Sequence, residues 1–231
     1  MKLKAISIII LLVFFSFSCS KSIDYSEEFK KNTSGKYLYN PDELIIVYYE
    51  DNVLKLNWKS GEIVPVALAE NEFFVPDMYK KFQFVKHPKT KRFFLSAINE
   101  EAGEVTYDYI KVDDNYKTPS QYLEAGHYDK ALEGFLKIKK LDSTSSYINE
   151  WDFNRKGYQY LKKKEYQKAI GIFQLNAKLF PNSSNVYDSL ADAHLRNGDS
   201  LQAYTNYKIA LDMNPQNSFA ERYVKKYEAK Q

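Results

Sequence analysis

The 231-residue chain has one cysteine, three histidines, seven prolines and eight glycines. One cysteine excludes an intramolecular disulfide, so the folded part must be held by packed cores. Three scattered histidines, His87, His127 and His194, lack an i, i+4 partner or ligand-spaced cysteines, and no metal site is expected. No glycine-rich phosphate loop occurs, and no cofactor is implied. Charge of one sign is also lacking. Thirty-three basic residues face thirty acidic ones, and loss of a leader carrying Lys2 and Lys4 leaves thirty-one against thirty. A chain so balanced has no overall field to recruit nucleic acid or anionic lipid.

What is present begins with a signal. Lys2 and Lys4 precede an almost wholly apolar run from Ala5 to Phe17, and Ser16, Phe17 and Ser18 lead to Cys19. This is the charged, apolar, small-residue order of a secretory leader, over residues 1–18. The apolar run is short of the roughly 20 residues that a spanning helix needs. The segment resembles a bacterial lipoprotein signal, which implies that Cys19 is acylated and becomes the mature N-terminus at the cell envelope. A cut at Ser18, or one place on, with Cys19 incidental is the alternative. Residues 19–32, polar and charged from Ile23 onward, read as a tether from lipid to domain.

Residues 33–113 carry β patterning. Short runs rich in β-branched and aromatic residues, 44–49, 53–58, 63–69, 73–75, 82–85, 92–98 and 105–112, are separated by turn residues such as Asp51-Asn52 and Ser60-Gly61. Leu54, Leu56 and Trp58 share one face and Phe82 and Phe84 another, so one face packs and one is wet. Pro65 and Pro76 predict edges or bulges. The expectation is an antiparallel meander curled into a small sheet or partly closed barrel. Its aromatics are either a core or the lining of a site for an apolar or glycan ligand.

From 116 to 231 the period becomes helical, and an internal repeat appears. Phe153, Gly157, Tyr160, Ala169, Phe173 and Pro181 recur as Tyr187, Ala191, His194, Ala203, Tyr207 and Pro215, each 34 residues on. The pattern resembles the tetratricopeptide repeat: two helices A and B, small residues where they approach and proline after helix B. Tyr122, Gly126, Tyr128, Ala131 and Phe135 fit the template four residues out of phase, with the extra residues in Ser143-Thr144-Ser145-Ser146. Phe219, Tyr223, Val224 and Tyr227 mark a capping helix. The fold class is α+β, a β domain followed by an all-α array.

The run from Gly157 to Asn217 is also similar to the repeat tail of bacterial serine hydrolases of the β-lactamase and penicillin-binding type, in which a β-rich accessory domain often precedes the tail. Their catalytic motifs do not assemble here. Ser18 to Lys21 spells S-x-x-K across the leader cleavage site, Tyr204-Thr205-Asn206 and Tyr147-Ile148-Asn149 spell Y-x-N, and Lys89-Thr90-Lys91 lacks the glycine of K-T-G. A non-catalytic chain is expected.

In such arrays helix A lines an inner groove. Here that gives Trp151, Asn154, Tyr158, Leu161 and Lys162 from one repeat, and Asp188, Asp192, Leu195 and Arg196 from the next. This mixture suits an extended peptide. Asp188 and Asp192 stand where related repeats place the basic and amide groups that clamp a C-terminal carboxylate. Lys162, Lys163 and Lys164 are either a solvated helix end favoured by the macrodipole or a wall for an acidic ligand. Three readings of function follow: an envelope lipoprotein binding a protein partner through the groove, a β domain holding a small ligand, and an accessory subunit of a separately encoded hydrolase. The same groove residues packed against a neighbouring domain are the structural alternative.

Overall fold

A computed structural model describes residues 23–99, 105–142 and 148–230. The leader, Cys19 and the Ser143–Ser146 insertion lie outside the described residues. Among the described residues no helix is long and apolar enough to cross a membrane.

Among the described residues the β domain has nine strands: β1 Gly35–Asn40, β2 Glu43–Glu50, β3 Val53–Trp58, β4 Gly61–Ile63, β5 Val66–Ala69, β6 Glu72–Val75, β7 Lys80–Lys86, β8 Phe93–Ala97 and β9 Tyr109–Val112. They form one sheet in the order β4-β3-β2-β1-β9-β8-β7-β6-β5, every neighbour antiparallel. With nine alternating strands, the first and last run in the same direction. Only Val64 and Pro65 separate them in sequence. β4 and β5 are therefore two halves of the single apolar run expected at 63–69. One half is hydrogen-bonded to β3 and the other to β6, and the bend at Pro65 is where the strand changes partner. Three peptide steps span at most about 11 Å, so the two edges of the curled sheet are held close together.

The interior is filled. Tyr37, Ile45, Val47, Leu54, Leu56, Phe73, Val75, Phe82, Phe84 and Leu95 are all buried in one cluster. Ring centroids lie 5.2 Å apart for Phe73–Phe84 and 5.8 Å for Phe73–Phe82. The expected alternation of Leu54 and Leu56, and of Phe82 and Phe84, faces this core. Tyr37, Phe73, Phe82 and Phe84 are therefore core, whereas Tyr79 and Tyr107 are exposed.

Two expectations need correction. The segment after Ile23 is not a tether: α1, Glu27–Thr33, is docked on the barrel. Tyr25 is buried, its ring 5.0 Å from Tyr49, and Phe29 packs edge-on against Phe84 at 5.8 Å. The last carbonyls of α1 are satisfied by the domain. Tyr37 Oη donates to Thr33 O (2.9 Å) and Lys111 Nζ to Asn32 O (2.9 Å). In the run 105–112, only 109–112 pairs as a strand, and Val105 and Tyr107 stay exposed.

The array comprises α2 Pro119–Glu124, α3 Tyr128–Leu141, α4 Glu150–Lys162, α5 Tyr166–Leu179, α6 Ser184–Arg196, α7 Ser200–Met213 and α8 Ser218–Glu228. α4 and α6 start 34 residues apart, as do α5 and α7, so the sequence period is the structural one. Ala169, Ala191, Ala203, Phe173 and Tyr207 are buried where the helices meet. α8 closes the stack, its Phe219 and Tyr223 rings 5.5 and 5.0 Å from Tyr207. In the first repeat Gly126 is not the small residue of helix A. Its φ of +76° closes the turn between α2 and α3, as Lys164 (+61°) and Gly198 (+87°) do in the next two. Pro119, at the start of the short α2, stands at the place of Gly157.

The two domains are joined at α2. Thr118 and Gln121 form a reciprocal capping box, which leaves the Ser120 N–H without an intrahelical partner. Asp42, in the β1–β2 turn, accepts it at 2.8 Å. Burial raises the Asp42 carboxyl above the usual range, against the lowering effect of the Ser120 hydrogen bonds.

Candidate functional site

The groove is built by α4 and α6. Asn149 caps α4 by accepting from Trp151 N at 2.9 Å. Glu150 Oε1 accepts from Ser183 Oγ (2.9 Å) and Asn185 Nδ2 (3.0 Å), tying the starts of α4 and α6 together. Successive turns of the two helices then run side by side.

Four of the expected residues come together. Tyr158 is half-buried, its ring edge-on to Phe173 at 5.3 Å. Its phenol is pushed up by burial first, then by Asp192 and Asp188, while Ser189 and Arg196 act in the opposite direction. Arg196 Nε donates to both oxygens of Asp192, at 2.9 and 3.0 Å. Asp188 Oδ1 accepts from Asn217 Nδ2 at 2.7 Å. Burial raises the Asp188 carboxyl, Asn217 opposes that, and Asp192 adds to it. Beneath them lies the buried Tyr207, whose phenol is also raised, by burial first and then by the two carboxylates. Two carboxylates and one guanidinium leave one net negative charge on a surface backed by neutral phenols.

Of the other five, Leu161 and Leu195 pack into the array core, and Trp151, Asn154 and Lys162 lie apart from the four. Trp151, 66% exposed, sits at the N-terminal end of α4 and Lys162 at its last position. Eleven residues of helix separate them, about 16 Å. Asn154, one turn before Tyr158, is buried, and its Oδ1 has no hydrogen-bond partner. The basic run completes the helix end: Lys163 is the C-cap, and Lys164 N donates to Leu161 O at 3.0 Å. Sequence reasoning missed Ser189, Tyr207 and Asn217. Asn217 was the most legible of these, because an asparagine two places after the closing Pro215 signals a helix N-cap. It does cap α8, through Ala220 N at 3.0 Å, with the same side chain that holds Asp188.

The chance motif matches are occupied by structural work. Tyr204 Oη bonds Glu228 (2.8 Å), Thr205 Oγ1 donates to Leu201 O and Asn206 Nδ2 to Gln202 O. Lys89, Thr90 and Lys91 lie in the β7–β8 turn, and Tyr147 and Ser18 lie outside the described residues. His194 is packed in the array at 7% exposure, 3.8 Å from Asp199, with its imidazole pKa lowered by burial against that carboxylate. Among the described residues no group of three or more His, Cys, Asp or Glu could hold a metal ion.

No known-family profile matches the chain. The yeast (Saccharomyces cerevisiae) heat shock protein STI1 is 30% identical over 111 residues, which is 45% of this chain and 18% of STI1. The chain thus spans less than a fifth of that relative. Among solved structures, the first tetratricopeptide domain of Spaghetti (RPAP3), bound to an HSP90 peptide, is 20% identical with a TM-score of 0.34, covering 48% of this chain and 85% of that one. The crystal structure of MamA is 23% identical with a TM-score of 0.34, covering 48% and 64%. On the 34-residue helix-pair geometry, the C-terminal half is a tetratricopeptide-type array.

Proposed function

We propose that the chain is a non-catalytic, lipid-anchored protein of the bacterial cell envelope that captures a segment of a partner protein in the groove of its helical array. The observation that carries the reading is the gathering of Tyr158, Asp188, Asp192 and Arg196 on the facing helices of successive repeats, with an exposed Trp151 two turns before Tyr158 on α4. An exposed indole is a ready anchor, and the net negative groove favours a segment carrying basic side chains over an acidic chain end. The leader and the lone Cys19 support export and acylation. On this reading the barrel sits close to the bilayer. Ile23, packed against the barrel core, is four peptide steps from Cys19, a reach of at most about 14 Å.

Capture of partners from the native cell, with Trp151→Ala and Asp192→Asn beside the unaltered protein, tests the groove. Trp151 is exposed and Asp192→Asn keeps the side-chain shape, so helicity should be unchanged while capture is lost. Undiminished capture by the double variant refutes the groove. Metabolic labelling with a fatty acid tests the anchor separately: Cys19→Ala should abolish incorporation, and an unlabelled parent protein refutes lipidation.

A further inference from the structure

The near-neutral sum of charges conceals a local excess on the β domain. A cleft of about 690 Å³ at one end of the barrel is lined by Lys31, Lys86, Lys91, Arg92 and Lys111, with Asp113 as the single lining carboxylate. Four of these cations come from separate elements: the last turn of α1, the end of β7, the β7–β8 turn and β9. Strand direction explains the convergence. β7 and β9 both end where β1 begins, and α1 ends beside them. None of the five cations is in an ion pair among the described residues, although such pairs are common elsewhere, as in Lys137–Glu133 and Lys225–Glu221. Asp113 is already engaged, accepting from Asn115 N at 2.8 Å.

The cleft is also built rather than incidental. His87 Nδ1 accepts from Lys89 N and Thr90 N, both at 3.2 Å, and Lys91 N donates to His87 O at 2.9 Å. This fixes the basic turn, with Lys91 in the left-handed region at φ +59°. Lys86 lies over the Phe93 ring. Lys111 is partly buried, and among the described residues its ammonium has one hydrogen-bond acceptor, Asn32 O. Burial lowers its pKa despite Asp114 nearby. Such a cation is short of the counter-charge and solvent that would normally stabilise it.

We propose that this cleft binds a phosphate-type anion through Lys86, Lys91, Arg92 and Lys111. The chemistry is that of a phosphate group held by several ammonium donors and one guanidinium fork. A soluble phosphate compound and the phosphate of an acidic lipid headgroup both present it. The site is separate from the helical groove and does not depend on the groove's partner.

The test is lysine-reactive footprinting of the full chain, read by mass spectrometry. It is run with inorganic pyrophosphate, with phosphatidylcholine vesicles and with vesicles containing phosphatidylglycerol. Because it reads individual lysines, attachment through the N-terminal segment does not confuse it. Protection of Lys86, Lys91 and Lys111 by both pyrophosphate and phosphatidylglycerol assigns a headgroup-competent site. Protection by pyrophosphate alone assigns a soluble ligand. Lys91→Glu with Arg92→Glu, both exposed, should weaken pyrophosphate binding by about tenfold or more. The matched reversal Lys140→Glu with Lys178→Glu on the array should leave it unchanged. Protection by neither probe overturns the proposal, as does an equal effect from the array reversal.

Discussion

Gly157→Ala sets two well-measured effects against each other inside one helix. By helix propensity alone, replacing a glycine in the interior of α4 stabilises by about 0.5–1 kcal/mol. The structure opposes this. A Cβ built at Gly157 would lie 2.4 Å from Phe173 Cε1 and 2.5 Å from Cζ. The Phe173 ring is fully buried, so it can yield only by displacing its neighbours, among them Tyr158. Overpacking of this kind costs about 1–3 kcal/mol. The net expectation is destabilisation by about 0.5–2 kcal/mol, or a fall in Tm of about 1–8 °C. Thermal melting followed by helical circular dichroism reads the array directly. Because the next repeat carries alanine here, Ala191→Gly should also destabilise, by about 1–2 kcal/mol, from lost propensity and a lost buried methyl. A Gly157→Ala protein that melts higher than the parent would show that propensity governs and that the close A–B contact carries no weight.

Lys164 holds a left-handed conformation that Gly126 and Gly198 hold at the corresponding turns; Lys164→Gly should raise stability by about 1 kcal/mol, measured by urea denaturation. Asp42→Ala removes the acceptor that joins the β1–β2 turn to α2, and should cost about 0.5–2 kcal/mol with faster amide exchange at Ser120. His194 has its folded pKa below the unfolded value near 6.5, so the unfolded chain binds the proton more readily. Its contribution to stability is therefore complete above pH 6.5 and declines as pH falls from there toward the folded pKa. The urea midpoint of His194→Phe should fall less between pH 7.5 and 5.5 than that of the parent.

The array was legible because each repeat repeats its contacts, so Gly157, Ala191 and their partners mark positions that a single occurrence would leave ambiguous. Alternation in 53–58 and 82–85 was equally readable, since one face of those strands meets the core. Three features were not. β1 was hidden because Tyr37 is its one buried side chain and its second partner, β9, lies far along the chain, and α1 because only Ile23, Tyr25 and Phe29 in a polar stretch carry the packing. The change of partner at Pro65 depends on closure of the whole sheet, which no local pattern encodes. In the groove, residue types and helix faces were readable. The pairing of Arg196 with Asp192 is an i, i+4 contact that the helix spacing of α6 encodes, whereas that of Asn217 with Asp188 depended on how the start of α8 seats on α6.

The groove and the basic cleft hold charge of opposite sign under opposite perturbations, and this gives a test of both on one molecule. Asp188 has a raised pKa, so as pH falls it loses its negative charge before an ordinary aspartate does. Binding of a short lysine-rich peptide at the groove should therefore weaken on acidification before the ordinary aspartate range is reached, while the peptide's lysines stay charged. Lys111 has a lowered pKa, so as pH rises it loses its positive charge before an ordinary lysine does. Sulfate, whose charge does not change on the alkaline side, should bind the cleft less well as pH rises toward the ordinary lysine range. Asp188→Asn should abolish the acid-side dependence alone, and Lys111→Gln the alkaline-side dependence alone. If either substitution changed both limbs, the two sites would be coupled through the Asp42–Ser120 junction rather than acting as separate charges. If neither changed its own limb, the buried charges would not be what draws a ligand to either place.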